Sequence, residues 1–186
     1  LSLVLLGPLV EPQDHTLTGA LTGMGDELIQ VFWLDRCHQR ESEPMKTAFI
    51  FGLGYVGLPL AQALAGKGWQ IRGTTRTPSK LKGKIGIGWE ILPFAANSPL
   101  ANPKRVFADV DVIISTINAI GGSDPVLDLH GKDLENFSGW AGYVSATSVY
   151  PDMPDSICYE DTPAAPSTAR GKARVLAESR WQNQLG

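Results

Sequence analysis

The chain has 186 residues, a formal net charge of −3 and 43% hydrophobic residues, which suits one ordinary domain with a sizeable core. The small negative charge argues against a nucleic-acid-binding surface, and no apolar run reaches the roughly 18 residues that a membrane span needs. Two distant cysteines and three scattered histidines form no metal-ligand pattern. We therefore expect no metal site and a reducing, cytoplasmic location.

The first part of the chain does not share the pattern of the rest. Residues 1–44 mix proline, glycine, threonine and charge without a steady period, apart from a weak helical patch around 26–34. Met45 then leads directly into the first convincing strand. We predict that 1–44 is an N-terminal extension outside the fold, and that residues 45–186 form the domain.

The strongest motif follows at once. An apolar run at 48–51 meets glycines in the spacing G-x-G-x-x-G, and a helix-forming segment comes directly after them. Gly52 permits a sharp turn, Gly54 lets the backbone approach a pyrophosphate, and Gly57 lets the helix pack on the strand. The helix N-terminus would present N–H groups to the phosphates. The cofactor-binding residues predicted here are Gly52, Gly54, Tyr55, Val56 and Gly57.

Strand and helix patterns alternate through the remainder of the chain. Strands are predicted at 69–75, 89–92, 109–116 and 142–147, and helices up to about 67, at 127–137, and from an N-cap at Ser167 to the chain end. Loops are predicted at 93–103 and 151–166. This alternation indicates an α/β fold with a doubly wound parallel sheet of the Rossmann type. A ligand should lie beyond the carboxyl ends of the strands, at the switch point.

The residues after the second strand indicate which dinucleotide is bound. A NAD site typically has an Asp or Glu about 20 residues past the glycines, bonded to the ribose 2′-OH. No acidic residue occurs between Met45 and Trp89, and Thr75 and Arg76 stand at this point. A guanidinium suits a phosphate through paired hydrogen bonds, although a solvated basic face is the alternative interpretation. We favour NADP as the cofactor, with NAD as the second choice.

Thr116 and Asn118 lie where the predicted strand 109–116 ends and a glycine-containing loop opens. Because that strand should end at the ligand face, the loop is expected to pass near the pyrophosphate or the nicotinamide ribose. Both residues are therefore predicted to contact the cofactor.

Four segments in this order resemble extended or atypical short-chain dehydrogenase/reductases, nearest to the NAD-dependent epimerase/dehydratase kind. They are GLGYVG (52–57), GTTRTPSK (73–80), YVSATSVY (143–150) and EDTPAAPSTARGKARVLAE (160–178). The resemblance implies a Rossmann domain followed by a small C-terminal substrate region. Since this chain stops at about the sixth element, that region is predicted to be truncated.

The catalytic pattern of that family is altered here. The resemblance implies a Ser or Thr before Val-Tyr, and a Tyr-x-x-x-Lys on the next helix, but Arg170 and Arg174 stand at the Tyr and Lys positions and Ala146 at the serine. Arg170 cannot serve as an acid or base near neutral pH, whereas Arg174 could keep the lysine's contact to the cofactor ribose. The predicted substitutes are Ser145 or Thr147 to polarise a carbonyl, with Tyr150, Tyr159 or Lys172 to supply a proton.

Three functions follow from these patterns, in order of preference. The first is an NAD(P)-dependent oxidoreductase or epimerase acting on a carbonyl or sugar-nucleotide substrate. The second is a non-catalytic NADP-binding module or sensor, which the two arginines would suit. The third is the cofactor domain of a nucleotide-sugar 6-dehydrogenase, since GLGYVGLPLA resembles the first turn of those enzymes, although they carry an acid at the end of the second strand.

The missing final strand would leave a sheet edge that needs cover. Either the chain is a fragment of a longer protein, which we favour, or it pairs with a second copy as a homodimer. The expected partner is a small-molecule substrate, with no nucleic acid and no membrane.

Overall fold

The computed structural model describes residues 3–6, 45–152, 157–159 and 161–185, and within them a six-stranded sheet. The strands are β1 (Leu3–Leu6), β2 (Thr47–Phe51), β3 (Gln70–Thr75), β4 (Glu90–Pro93), β5 (Val112–Ser115) and β6 (Trp140–Val144). The helices are α1 (Gly57–Gly66), α2 (Pro103–Phe107), α3 (Pro125–Leu134) and α4 (Ala169–Leu185). Two 3-10 turns lie at Pro78–Leu81 and Thr147–Val149.

The strands follow the order β1-β6-β5-β2-β3-β4 across the sheet. Strands β2 to β6 are all parallel to one another, and the edge strand β1 is antiparallel to β6. From β2 the chain moves outward to β3 and β4, and it then returns to the other side of β2 for β5 and β6. The switch point therefore lies between β2 and β5, which confirms the predicted doubly wound parallel sheet.

Alternating side chains of β2 face two separate hydrophobic cores. Phe49 and Phe51 pack with α3 and α4, where Trp181 is fully buried. Ala48 and Ile50 face the other way, toward the apolar side of α1. Because both faces are covered, the central strand is apolar along its whole length, as a buried parallel strand requires.

Several predicted boundaries are wrong, and local chemistry explains them. The strand predicted at 142–147 ends at Val144, because the chain leaves the sheet for the Thr147–Val149 turn. The last helix is capped by Thr168 rather than by Ser167, since the Thr168 hydroxyl accepts the Gly171 N–H at 3.0 Å. Helix α2 was not predicted, although Asn102 caps it and a proline begins it.

Only four residues of the segment 1–44, which was predicted to lie outside the fold, are described in the structure. Those residues form β1, whose backbone pairs with β6 along the sheet edge. The helical patch predicted at 26–34 lies outside the described residues. The division of the chain at residue 45 stays a prediction.

Candidate cofactor-binding site

The glycine turn after β2 is held in place by the neighbouring strand β3. Gly52 has a φ of +92°, a backbone conformation that favours glycine. Its N–H donates to the hydroxyl of the fully buried Thr74 at 2.9 Å, and the Leu53 N–H donates to the Thr74 carbonyl at 2.7 Å. The turn therefore has a fixed shape before any ligand arrives.

The other two glycines of the motif have opposite environments. A Cβ atom on Gly57 would lie 2.1 Å from the Gly52 carbonyl oxygen, so only glycine lets α1 approach the turn this closely. A Cβ atom on Gly54 would meet nothing within 4 Å, and Gly54 is exposed. Gly54 thus leaves open the space that a pyrophosphate needs in order to reach the backbone, and these residues fit a dinucleotide.

The N-terminus of α1 lacks the side-chain cap that the other helices have. Asn102, Asp124 and Thr168 accept backbone N–H groups at the start of α2, α3 and α4. Among the described residues, no side chain caps α1 at Val56, beside the exposed Tyr55. The first N–H groups of a helix need hydrogen-bond acceptors. Because α1 has no side-chain cap, these N–H groups are suited to bind phosphate oxygens.

Thr116 supports the glycine turn from below. It follows β5 directly, and its hydroxyl lies 2.6 Å from the Gly52 carbonyl oxygen and 3.1 Å from that of Phe51. Thr116 is predicted to contact the cofactor, and in the structure its hydroxyl contacts the backbone of the glycine turn. Asn118, two residues on, is exposed at the carboxyl edge of the sheet.

Thr75 and Arg76 lie at the carboxyl end of β3, as the motif predicted. Arg76 is exposed. Thr75 is half-buried, and its hydroxyl accepts the Thr77 N–H at 3.4 Å. Arg72 is committed elsewhere, because it pairs with Glu90 at 3.2 Å and donates to the Val106 carbonyl. Of these two arginines, Arg76 is the one that is exposed, and it lies where the adenosine ribose is expected.

The predicted catalytic hydroxyls differ sharply in access. Ser145 is 1% exposed and its hydroxyl has no hydrogen-bond partner among the described residues, whereas Thr147 is exposed at the start of the 3-10 turn. Tyr150 is half-buried and closes the same turn through its N–H, which donates to the Thr147 carbonyl at 3.1 Å. Thr147 is the hydroxyl of this pair that a substrate can reach.

Arg174 is buried, at 4% exposure, while Arg170 on the same helix is exposed. Its Nη1 donates at 3.1 Å to both the Tyr143 hydroxyl and the Val144 carbonyl, and its Nη2 donates to Asn118 Oδ1. The Nη donors therefore contact protein atoms in the structure, where the family resemblance led us to expect the cofactor ribose.

Tyr143 is the partner of Arg174 that sequence reasoning missed. Burial raises the pKa of the Tyr143 phenol above its ordinary value, and the neighbouring Arg174 guanidinium opposes this only in part. The fully buried phenol stays neutral near pH 7 and cannot exchange a proton with a substrate. In the sequence, the position of Tyr143 within a predicted strand indicates only a core residue.

Gly171 was also missed as a structural requirement. A Cβ atom there would lie 2.1 Å from the Ser148 carbonyl oxygen, so glycine lets α4 dock on the Thr147–Val149 turn. A glycine in the first turn of a predicted helix was the available signal. Docking by Gly171 brings Arg174 beneath the ends of β5 and β6.

A parallel sheet whose central strand runs through a glycine turn into an uncapped helix defines a dinucleotide-binding domain. The chain belongs to the family described as the NAD binding domain of 6-phosphogluconate dehydrogenase, whose family model matches residues 46–153, more than half of the chain. Within the described residues, no helix combines the length and apolar character that crossing a membrane requires.

Individual proteins are similar over about three quarters of this chain. Protein YeeZ of Escherichia coli (strain K12) is 30% identical, and the match covers 76% of this chain and 54% of YeeZ. The structure of a functionally unknown conserved protein from Silicibacter pomeroyi DSS is 34% identical with a TM-score of 0.63, covering 75% of this chain and 50% of that one. The chain thus spans about half the length of these relatives.

The fold is shared more widely still. UDP-glucuronic acid 4-epimerase from Bacillus cereus, solved in complex with NAD, has a TM-score of 0.56 at 17% identity, covering 74% of this chain and 52% of that one. At this identity the match shows the fold alone. The sheet is therefore shared with an epimerase that was solved in complex with NAD.

Proposed function

We propose that the chain is the cofactor-binding part of an NADP-dependent oxidoreductase or epimerase of the atypical short-chain dehydrogenase/reductase type, acting on a carbonyl or sugar-nucleotide substrate. The observation that carries the proposal is the open Gly54 beside the uncapped start of α1, with reachable polar groups at the ends of β5 and β6. When bound, a nicotinamide cofactor supplies or accepts a hydride. The chain itself would hold the pyrophosphate at Gly52, Gly54 and Gly57.

The preference for NADP rests on the charges at the end of β3. Arg76 is exposed there, and Ser79 and Lys80 follow in an exposed 3-10 turn. Glu90, the first acid after the glycine motif, is the first residue of β4 and pairs with Arg72. Glu90 is three residues from the carboxyl end of its strand, roughly 10 Å, so it is poorly placed to accept from an adenosine ribose.

Replacing Arg76 tests this preference. Arg76→Ala should weaken NADP binding about tenfold or more, because a guanidinium–phosphate pair is lost, and should leave NAD binding within about twofold. Dissociation constants from calorimetric titrations with both cofactors provide the measurement. Arg105→Ala, which removes an exposed arginine of α2, is the matched control and should change neither constant. Equal weakening of both cofactors by Arg76→Ala would reject the NADP assignment.

Thr147 is our choice for the group that polarises a substrate carbonyl. It is exposed beside the ends of β5 and β6, whereas the Ser145 hydroxyl is buried. Tyr150 lies at the end of the same turn, three residues after Thr147. The proposal assigns carbonyl polarisation to Thr147 and proton supply to Tyr150.

A non-catalytic NADP-binding module is the second candidate. The observation that favours it is the pair Arg170 and Arg174, which stand where the resembling family has its Tyr and Lys. NADPH labelled with deuterium at the transferable position, incubated with the protein and a panel of carbonyl compounds and sugar nucleotides, separates the two. Deuterium in a product supports the enzyme; cofactor binding without any transfer supports the module.

The cofactor domain of a nucleotide-sugar 6-dehydrogenase is a third candidate, supported by the sequence GLGYVGLPLA at 52–61. The absence of an acid between Met45 and Trp89 weighs against it. A separate incubation with NAD in place of NADPH tests it: oxidation of a nucleotide sugar with reduction of two equivalents of NAD would identify this function. We further propose a cytoplasmic location, from the cysteine content, and a small-molecule substrate as the partner.

A further inference from the structure

Arg174 ties three separate segments together at the carboxyl edge of the sheet. From α4 its guanidinium reaches the end of β6, through Tyr143 and Val144, and the loop after β5, through Asn118. All these acceptors are neutral oxygens, and no carboxylate of the described residues pairs with Arg174. The two terminal nitrogens of the buried guanidinium therefore donate to neutral oxygens only, and Nε has no hydrogen-bond partner among the described residues.

The contact with Arg174 fixes which way the Asn118 amide faces. A guanidinium has donors only, so the acceptor atom Oδ1 of Asn118 must face Arg174. The Nδ2 group, with its two donors, must then point away from the guanidinium. Asn118 is exposed, and no described residue accepts from its Nδ2.

The position of Asn118 places those donors beside the glycine turn. Thr116 contacts the Gly52 carbonyl, and a Cβ atom on Gly52 would lie 2.9 Å from the Ile117 side chain. The loop that carries Asn118 is therefore packed directly against the turn that would hold a pyrophosphate. A donor group here lies at the carboxyl edge of the sheet, where a dinucleotide is expected to bind.

We propose that Asn118 donates from Nδ2 to an acceptor oxygen on the nicotinamide half of the bound dinucleotide, and that Arg174 is the positioning residue that orients it. The inference rests on the proposed function, since it requires a dinucleotide at the glycine turn. It differs from a direct contact between Arg174 and the ribose, because the guanidinium acts through the amide.

Asn118→Asp separates a ligand contact from a structural one. A carboxylate at 118 would form an ion pair with Arg174, so the thermal unfolding midpoint should be equal to or above that of the unmodified protein. The same carboxylate has no donor to offer a ligand. Cofactor binding should therefore become about tenfold weaker or more while the fold is kept. Asn136→Asp, which makes the same change at an exposed position before β6 and at the opposite edge of the sheet, should affect neither measurement.

Arg174 is tested by rescue. Arg174→Met should weaken cofactor binding about as much as Asn118→Ala, and the double variant should bind no more weakly than either single variant. Arg174→Lys keeps a donor for Oδ1 and should restore part of the affinity. If Arg174→Met does not fold, Asn118→Asp decides the question alone.

The outcomes distinguish this inference from the proposed function. If the unmodified protein binds neither NADP nor NAD in the titration, the proposed function fails and the inference with it. If it binds a cofactor and Asn118→Asp binds equally well, the inference is wrong and the proposed function stands. Weaker binding with an unchanged or raised midpoint supports the inference.

Discussion

Two regions at the carboxyl edge of the sheet are built on the same plan but held by different interactions. In each, a strand ends in a short turn and a helix docks on that turn through a glycine, with a virtual Cβ 2.1 Å from a carbonyl oxygen at both Gly57 and Gly171. The first turn is held mainly by backbone groups with two threonine hydroxyls. Beside the second, the buried Arg174 donates to the Tyr143 hydroxyl and to Asn118.

The two regions differ in how strongly they depend on the identity of particular side chains. Backbone contacts around Gly52 do not depend on most side-chain identities, so a turn that binds a pyrophosphate can persist while the rest of the chain changes. The region near Arg174 depends on particular partners, including Asn118 and Tyr143. Substitutions there can change this region while the backbone of the glycine turn stays the same.

The largest expected effect is the loss of cofactor binding on Gly54→Val. The added side chain occupies open space and the backbone does not have a positive φ, so the fold should be kept. Because the side chain displaces the phosphates from the backbone, affinity should fall about 100-fold or more. Calorimetric titration measures this, and Gly66→Val, another exposed glycine with open space, should bind normally. Unchanged affinity in Gly54→Val would contradict the proposed pyrophosphate position.

The next effect compares the two docking glycines directly. Gly57→Ala and Gly171→Ala should each lower the free energy of unfolding by about 1–3 kcal/mol, since each methyl group would overlap a carbonyl oxygen. Urea denaturation followed by far-UV circular dichroism gives both values. A neutral result at Gly171 alone would mean that α4 can shift on its turn while α1 cannot.

The smallest effect concerns the charges that support the second region. Asp128 on α3 accepts from Ser123 and pairs with Arg180 on α4 at 2.7 Å. Burial raises the pKa of Asp128, but the hydrogen bonds from Ser123 and Arg180 outweigh it, and the pKa lies below its ordinary value. An aspartate with a lowered pKa stabilises the fold above its ordinary pKa, and the contribution is lost as the pH falls further.

Asp128→Asn should therefore reduce stability slightly at neutral pH, and the difference from the unmodified protein should shrink below about pH 4. Thermal unfolding midpoints measured from pH 7 to pH 3 test this sign. Asp109→Asn, at an exposed aspartate without such partners among the described residues, should follow the unmodified protein throughout. A difference that grows toward low pH would contradict the lowered pKa.

Sequence patterns alone predict the parallel sheet, the alternation of its strands with α1, α3 and α4, and the glycine turn. These features depend on local properties: apolar runs that suit buried strands, a glycine where φ is positive, and glycines where a helix and a ligand approach the backbone. The exposed position of Arg76 could be predicted for the same reason, since it follows its strand by one residue.

The second region is assembled by tertiary contacts between residues that are far apart in the sequence. Arg174 and Asn118 are 56 residues apart, and Gly171 meets Ser148 only after α4 has folded back over β6. The burial of Ser145, the exposure of Thr147 and the support of the first turn by Thr74 likewise depend on which distant segments become neighbours. Periodicity and spacing describe single elements, whereas these contacts form between elements, and that is why the sequence named several of the residues but not their partners.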